Sequence, residues 1–234
     1  MSVTRLVWQG HPLQVGEHLL PPDASHHARV TRVEKGDPTE ILDLDGAVGQ
    51  GVLVGWEGRF ARVRIDTVSR ERGEPPGALI VGLGVLHTQA FDWAVEKLTE
   101  LGVTRIVPLL CERVQGRHHE SRAARWQRLS EAAVVQCGRS RPAKVSQVTS
   151  LVSFLRDASG TRLIADPAGG RLPGAEAVST ISVLVGPEGG LTSSEQASAT
   201  AAGFQPFGLG PRTLRTETAA VAAVAVASAW AGWL

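Results

Sequence analysis

Two hydrophobic patterns divide the chain. Up to about residue 70, short segments alternate apolar and polar residues or are rich in β-branched residues: Thr39–Leu44, Gln50–Gly55 and Phe60–Val68. Asp-Gly and Glu-Gly turns separate them, and this spacing predicts a small antiparallel β-barrel. A boundary is expected at Ser69–Pro76 (SRERGEPP), since its glycine and paired prolines can continue neither a helix nor a central strand. The pattern predicts one domain over residues 1–70 and another over 77–234.

After the boundary, apolar strands alternate with helices, which is typical of a parallel α/β domain. The predicted strands are Ala78–Val85, Arg105–Leu110, Arg162–Ala165, Ile181–Val185 and Gln205–Leu209. The predicted helices are Ala90–Leu101, one that ends by Cys137, Ser193–Ala202, and an Ala/Val-rich helix from Glu217. Thr192 and Glu195 have the T-x-x-E spacing of a capping box, which places the start of the third helix.

The composition is that of a soluble globular protein. The 234 residues are 43% hydrophobic and 20% charged, which excludes fibrous and disordered classes. The apolar run Ala219–Leu234 is shorter than the roughly 20 residues that span a bilayer, so it predicts a buried helix and no membrane association. The first residues lack the features of a secretory signal, so a cytoplasmic location is expected. Cys111 and Cys137 are then expected to be reduced thiols.

The charge is nearly balanced overall but is concentrated in one region. The formal net charge is +1, which excludes a strongly cationic nucleic-acid coat. Residues 113–144, however, contain only two acidic residues, Glu120 and Glu131, against eight basic ones. The basic residues are Arg113, Arg117, Arg122, Arg125, Arg128, Arg139, Arg141 and Lys144. Such a patch favours contacts with nucleic-acid phosphates. The alternative is an ordinary solvated helix surface.

Two glycine-rich loops are the strongest candidates for a ligand site. Val185–Leu191 (VGPEGGL) and Leu209–Thr218 (LGPRTLRTET) each follow a predicted strand. Glycine lets the backbone approach a ligand, and loops at the carboxyl ends of parallel strands are where ligands bind. An ordinary glycine-rich turn is the alternative for the first loop.

The second loop also carries three charged residues in an apolar setting, Arg212, Arg215 and Glu217. They indicate either a structural ion pair, with Arg215 bound to Glu217 or Glu188, or polar contacts to a cofactor with electrostatic assistance to a reaction.

Other motifs do not support a site. Gly82 and Gly84 suggest a dinucleotide fingerprint, but position 87 is His where the fingerprint requires Gly. The adjacent pairs His26-His27 and His118-His119 lack the i, i+4 spacing of a helical metal site, so no metal is predicted. No G-x-S-x-G nucleophile motif is present.

The two loop motifs, LVGPEGGLTSSE (184–195) and LGPRTLRTETAA (209–220), resemble those of the RsmE-type 16S ribosomal RNA (uridine-N3)-methyltransferases of the SPOUT class. EKLTELGV (96–103), VPLLCERV (107–114) and VVQCGRSRP (134–142) are similar as well. HHARVTRVEKGD (26–37) resembles the N-terminal RNA-binding segment of that family. The chain differs from the family pattern at residues 87–90 (HTQA), at Val114 and at Thr213.

The resemblance implies a PUA-like N-terminal β-barrel and a SPOUT α/β domain whose C-terminal part forms a deep trefoil knot. It also implies a homodimer that acts on 16S ribosomal RNA or the small ribosomal subunit. S-adenosyl-L-methionine would lie bent between Leu109–Arg113, Val185–Leu191 and Leu209–Thr216. The implied cofactor-binding residues are Leu184, Gly186, Pro187, Glu188, Gly189, Gly190, Leu209, Gly210, Arg212, Leu214 and Thr216. The candidate RNA-binding residues are His27, Arg29, Arg32, Arg122, Arg125, Arg139 and Arg141.

For catalysis, the enzyme must align the uridine with the methyl group and must remove the N3 proton. Arg113 or Arg215 is expected to stabilise the N3 anion, and Glu217 to orient the arginine or relay the proton. The alternatives are another SPOUT activity, on a tRNA ribose 2′-oxygen or guanosine N1, and a non-catalytic RNA-binding assembly factor.

Overall fold

A computed structural model describes residues 3–8, 12–114, 122–172, 174 and 177–234. It divides the chain into two units, each with its own sheet. Unit 1 comprises Met1–Glu74 and Glu131–Pro142, and unit 2 comprises Pro75–Ser130 and Ala143–Leu234.

Unit 1 is built on a five-stranded sheet. Its elements are β1 (Thr4–Val7), β2 (Gly16–Leu19), α1 (Pro22–Val30), β3 (Pro38–Leu42), β4 (Ala47–Glu57) and β5 (Phe60–Arg70). The strand order is β1-β3-β4-β5-β2. Alternating residues such as Ile41, Leu53 and Val63 face a core that α1 covers with Ala24 and Ala28.

The strands predicted for this region are confirmed, but the closed antiparallel barrel is not. β1 pairs with β3 in parallel, and among the described residues β1 and β2 remain at opposite edges of the sheet. A parallel pair needs a crossover connection, and β2 with α1 supplies it between β1 and β3. The remaining pairs are antiparallel, as predicted.

Unit 2 is an α/β structure. Its strands are β6 (Ala78–Gly84), β7 (Arg105–Leu110), β8 (Lys144–Val145), β9 (Thr149–Ser150), β10 (Thr161–Gly170), β11 (Thr180–Val185) and β12 (Gln205–Phe207). Its helices are α2 (Thr88–Glu100), the start of α3 (Ala123–Cys137), α4 (Leu151–Asp157), α5 (Ser193–Ala201) and α6 (Thr216–Trp230). The strand order is β12-β10-β11-β6-β7-β8, with β9 also on β7, and every pair is parallel.

Helices cover both faces of this parallel sheet. One hydrophobic cluster joins the strands to α2 and α6, and a second joins them to α4 and α5. Strands covered on both faces need apolar residues at nearly every position, which explains the continuous apolar runs of β6 and β11. The predicted parallel α/β class is therefore confirmed. No helix among the described residues has the length and apolar character needed to cross a membrane.

Candidate functional site

A cavity of about 220 Å³ lies at the carboxyl edge of the unit 2 sheet. Four segments line it: the middle of β10, the loop after β11, the first turn of α5, and the loop that leads from β12 into the start of α6. β12, β10 and β11 are neighbours in the parallel sheet, so their carboxyl ends meet there. The lining residues are Ile164, Ala165, Asp166, Pro167, Val185, Gly186, Pro187, Glu188, Gly190, Leu191, Gln196, Thr213, Leu214, Thr216 and Ala219.

A second cavity of about 80 Å³ adjoins the first. Leu209, Gly210 and Arg212 line only the second cavity. Six residues line both: Ala165, Asp166, Pro167, Thr213, Leu214 and Ala219. Apolar side chains and loop backbone dominate both linings, which suits a ligand with a flat apolar part and polar groups that backbone can bind.

Two glycines of these loops adopt backbone conformations that favour glycine over other residues. Gly190 has φ +69° and donates its N–H to the Pro187 carbonyl at 2.8 Å, which closes a tight turn against the cavity. Gly210 has φ +96°. Side chains rarely tolerate positive φ, so both turns favour glycine.

Most of the predicted cofactor-binding residues line one of the two cavities, but Leu184 and Gly189 do not. Leu184 is fully buried in β11, in the cluster packed against α4 and α5. Gly189 faces Arg113, which donates from Nη1 to the Gly189 carbonyl at 3.2 Å.

The loop Leu109–Arg113 lines neither cavity, but it is hydrogen-bonded to the start of α5. The Glu112 N–H donates to Glu195 Oε1 at 2.8 Å, and the Thr192 N–H donates to Glu195 Oε2 at 2.8 Å. The predicted capping box is thus confirmed, and its buried glutamate also holds the loop after β7. Burial, reinforced by the charge of Glu195, raises the pKa of the Cys111 thiol to about 12.

The predicted catalytic residues lie next to the cavity loops. Arg215 is exposed at the N-cap of α6, directly before the cavity residue Thr216, and Glu217 follows in the first helical turn. No ion pair among the described residues joins Arg215 to Glu217 or Glu188, so the structural ion pair is not found. An acidic Glu217 near the helix N-terminus is favourable in itself.

Sequence reasoning missed the cavity wall formed by the middle of β10. Ala165, Asp166 and Pro167 line both cavities. The Asp-Pro-Ala-Gly-Gly stretch after an apolar strand was an available signal, because aspartate commonly accepts a hydrogen bond from backbone two residues further on. Asp166 does so, accepting the Ala168 N–H at 2.8 Å.

The candidate RNA-binding residues of unit 1 differ in availability. His27 and Arg29 are exposed on α1, and Arg29 stacks over the exposed Trp56 at 4.7 Å from the ring centre. Arg32 is exposed shortly after α1, with φ +56°. In contrast, the Arg139 side chain is only 4% exposed and pairs with Glu74 at 2.6 Å. A phosphate contact at Arg139 would require this buried pair to open.

The rest of the basic patch also includes neutralised residues. Arg125 pairs with Asp92 at 2.7 Å, and Arg141 pairs with Glu71 at 2.5 Å. Arg122 lies just before α3, while Arg117, Glu120 and the pair His118-His119 lie outside the described residues. Within the described part of the chain, no three His, Cys, Asp or Glu side chains are grouped so as to hold a metal ion.

Comparison with known proteins identifies the class to which this fold and site belong. Residues 73–228 match the RNA methyltransferase domain family, so the chain belongs to that family. Ribosomal RNA small subunit methyltransferase E of Aquifex aeolicus is 32% identical over 205 residues, which cover 86% of this chain and 89% of that protein. The enzyme of the same name from Synechocystis is 32% identical over 206 residues, covering 84% of this chain and 67% of that protein.

Solved structures of similar proteins are also methyltransferases. Ribosomal RNA small subunit methyltransferase E of Neisseria gonorrhoeae, bound to S-adenosyl methionine, is 31% identical with a TM-score of 0.88. The match covers 97% of this chain and 98% of that one. A Legionella pneumophila methyltransferase with bound SAM is 29% identical with a TM-score of 0.84, covering 98% of both chains.

Proposed function

We propose that this protein is an S-adenosylmethionine-dependent methyltransferase that modifies uridine N3 in 16S ribosomal RNA. The observation that carries the proposal is the pair of adjoining cavities between the VGPEGGL and LGPRTLRTET loops, in a chain that aligns over nearly its whole length with a SAM-bound relative.

The residues present fit this cofactor. Ala165, Leu191, Leu214 and Ala219 offer apolar surface for an adenine ring, and the backbone of the glycine loops offers hydrogen-bonding groups. Asp166 and Glu188 supply negative charge for a cationic ligand. When bound, the cofactor supplies a methyl group that is already activated by its attachment to a sulfonium. The chain must therefore orient the acceptor and remove its proton.

Arg113 and Arg215 are proposed as the cations that stabilise the uridine N3 anion. Arg215 directly precedes the cavity residue Thr216. Arg113 donates a hydrogen bond to the Gly189 carbonyl in the VGPEGGL loop. A preorganised cation lowers the cost of the negative charge that develops on the base. Glu217, on the first turn of the same helix as Thr216, would orient Arg215 or relay the proton. The target uridine must be unpaired, since base pairing buries N3.

Unit 1 is proposed to bind the RNA as a PUA-like domain. His27, Arg29 and Arg32 would contact phosphates, and the exposed Trp56 beneath Arg29 offers a surface for base stacking. Arg122 and Arg125 of unit 2 would add phosphate contacts. The deep trefoil knot in the C-terminal part of unit 2 belongs to the same proposal, as does a cytoplasmic location, where a substrate in the small ribosomal subunit would be found.

A homodimer through the outer face of α6 completes the proposal. Ala222, Ala225, Val226 and Ala229 recur at helical spacing on that face and are incompletely buried. A helix that is apolar on all sides requires cover on all sides.

The test is methyl transfer to small ribosomal subunits that lack the modification, with S-adenosylmethionine carrying a labelled methyl group. Nucleosides are then separated and identified by mass spectrometry. Label in N3-methyluridine supports the proposal. Label on a ribose or on guanine contradicts the N3 assignment but keeps the methyltransferase class. Cofactor binding with no label in any nucleoside favours a non-catalytic role in assembly.

A further inference from the structure

Asp166 differs from the other residues of the site in its charge and its place between the two cavities. Of the residues that line both cavities, it alone carries a charge, since the others are Ala165, Pro167, Thr213, Leu214 and Ala219. The other charged lining residues, Glu188 and Arg212, each line one cavity only. Asp166 is therefore the one charged group at the place where the two cavities meet.

Among the described residues, the Asp166 carboxylate has no cationic partner. Its Oδ1 accepts the Ala168 N–H, and no lysine, arginine or histidine among the described residues forms an ion pair with it. The turn needs only a side-chain oxygen, which asparagine would supply equally well. Keeping an unpaired, half-buried carboxylate against apolar walls costs desolvation energy. The turn alone thus does not explain why this position carries an aspartate. A cationic ligand would explain it.

We infer that Asp166 is a specificity-determining residue that recognises the positive charge of the cofactor's sulfonium. This inference rests on the proposed function. The cofactor consists of an adenosine part and a methionine part that are joined at the sulfur. A ligand that extended through both cavities would have its junction near the residues that line both, and Asp166 is the one charged residue among them. The carboxylate therefore favours the sulfonium of the substrate over the neutral thioether of the product.

This role has a consequence for turnover. S-adenosylhomocysteine differs from S-adenosylmethionine by the methyl group and the positive charge, while its adenosine and amino-acid parts are the same. A carboxylate at the sulfur stabilises only the charged form, so loss of the charge in the reaction weakens product binding. A carboxylate that bound the ribose or the amino group would hold both ligands equally.

The test is calorimetric measurement of dissociation constants in the full-length protein and in Asp166→Asn, which keeps the oxygen that accepts from Ala168. The probes are S-adenosylmethionine, S-adenosylhomocysteine, and sinefungin, in which a protonated amine replaces the methyl sulfonium. We expect roughly tenfold weaker binding of the two charged ligands and a change of less than about twofold for S-adenosylhomocysteine. Asp157→Asn, an exposed position on α4, is the matched control and should leave all three unchanged.

Two results would overturn the inference while leaving the proposed function intact. One is an equal loss of affinity for all three ligands, which would place Asp166 at a part that they share. The other is no change for any ligand in Asp166→Asn. If the unsubstituted protein bound none of the three, the proposed function itself would fail. Thermal unfolding of Asp166→Asn shows whether the fold is retained.

Discussion

At the scale of single residues, Arg215 gives the most direct test of the chemistry. It is exposed, forms no ion pair among the described residues and stands directly before Thr216 at the cavity. Its proposed role is to stabilise the anion of the acceptor base, and it is not proposed to bind the cofactor. We expect Arg215→Ala to lower the rate of methyl transfer at least about 100-fold, as loss of an electrostatic stabiliser does elsewhere. Cofactor affinity should change by less than about threefold.

The measurements are single-turnover methylation and calorimetry. Arg156→Ala, at an exposed position on α4, serves as the control and should behave as the unsubstituted protein does. Wild-type rates in Arg215→Ala would remove Arg215 from the mechanism, and equal losses of rate and affinity would make it a cofactor-binding residue.

Gly84 shows how a residue outside the cavity shapes it. A Cβ at Gly84 would lie 2.8 Å from Pro187 Cα and closer still to Pro187 N, so the end of β6 and the glycine loop meet without space for a methyl group. Gly84→Ala must displace the backbone of the loop. We expect a destabilisation of about 1–3 kcal/mol, together with weaker binding of S-adenosylmethionine.

Chemical denaturation and calorimetry check both effects. Gly170→Ala is the matched control, because no atom lies within 4 Å of a Cβ built there. If Gly84→Ala were as stable as Gly170→Ala and bound the cofactor normally, the loop would be more adaptable than this packing indicates.

At the scale of elements, helix α5 and its cap connect stability to the site. Thr192 Oγ1 accepts the Glu195 N–H at 3.3 Å, while Glu195 accepts both the Thr192 and the Glu112 N–H groups. Thr192→Ala removes one capping bond and should cost about 1 kcal/mol. Glu195→Ala leaves two N–H groups without an acceptor and should cost roughly 2–4 kcal/mol.

Urea unfolding of the two variants and of Ser193→Ala, an exposed neighbour, gives the comparison. Ser193→Ala should have little effect. Equal costs for Thr192→Ala and Glu195→Ala would mean that the bond to Glu112 contributes nothing and that the loop after β7 is held by other contacts.

The extent of sequence prediction also differs between elements. α5 was predictable to within a residue, because its capping box is a local signal. β10 was predicted only to Ala165 but continues to Gly170, and with this extension the wall formed by Asp166 and Pro167 was missed. That extension pairs Gly170 with Phe207 on β12, a contact between residues distant in sequence that no local pattern encodes.

At the scale of the whole molecule, contacts between distant residues decide what local patterns cannot. Residues 131–142 belong to unit 1, and a buried ion pair contributes to their attachment there: Arg139 binds Glu74, 65 positions earlier in the chain. The sequence alone places Arg139 in a basic patch and predicts contact with RNA. It does not reveal the partner Glu74, because that contact depends on the fold. The strand order of unit 1 also depends on a pairing that no local pattern encodes, the parallel contact of β1 with β3, and among the described residues β1 and β2 remain at opposite edges of the sheet.

Assembly is the last property on this scale, and the proposed dimer interface lies on the outer face of α6. Its inner face buries Ala220, Ala223, Val224 and Ala227, whereas Val226 on the outer face is 42% exposed. α2, which packs on α6, exposes 41% of Trp93. An apolar surface of this kind on both helices fits a self-complementary interface. A charge placed at its centre would have to be buried without a partner in a dimer, which is costly.

We therefore expect Val226→Glu to convert a dimer into a monomer at micromolar concentration, measured by sedimentation equilibrium. Val152→Glu makes the same change on α4, which packs on the opposite face of the sheet and leaves Val152 73% exposed. This control should remain dimeric and fully folded. A monomeric unsubstituted protein, or a dimer that persists in Val226→Glu, would show that the outer face of α6 is not the interface, and the exposure of Val226 would then need another explanation.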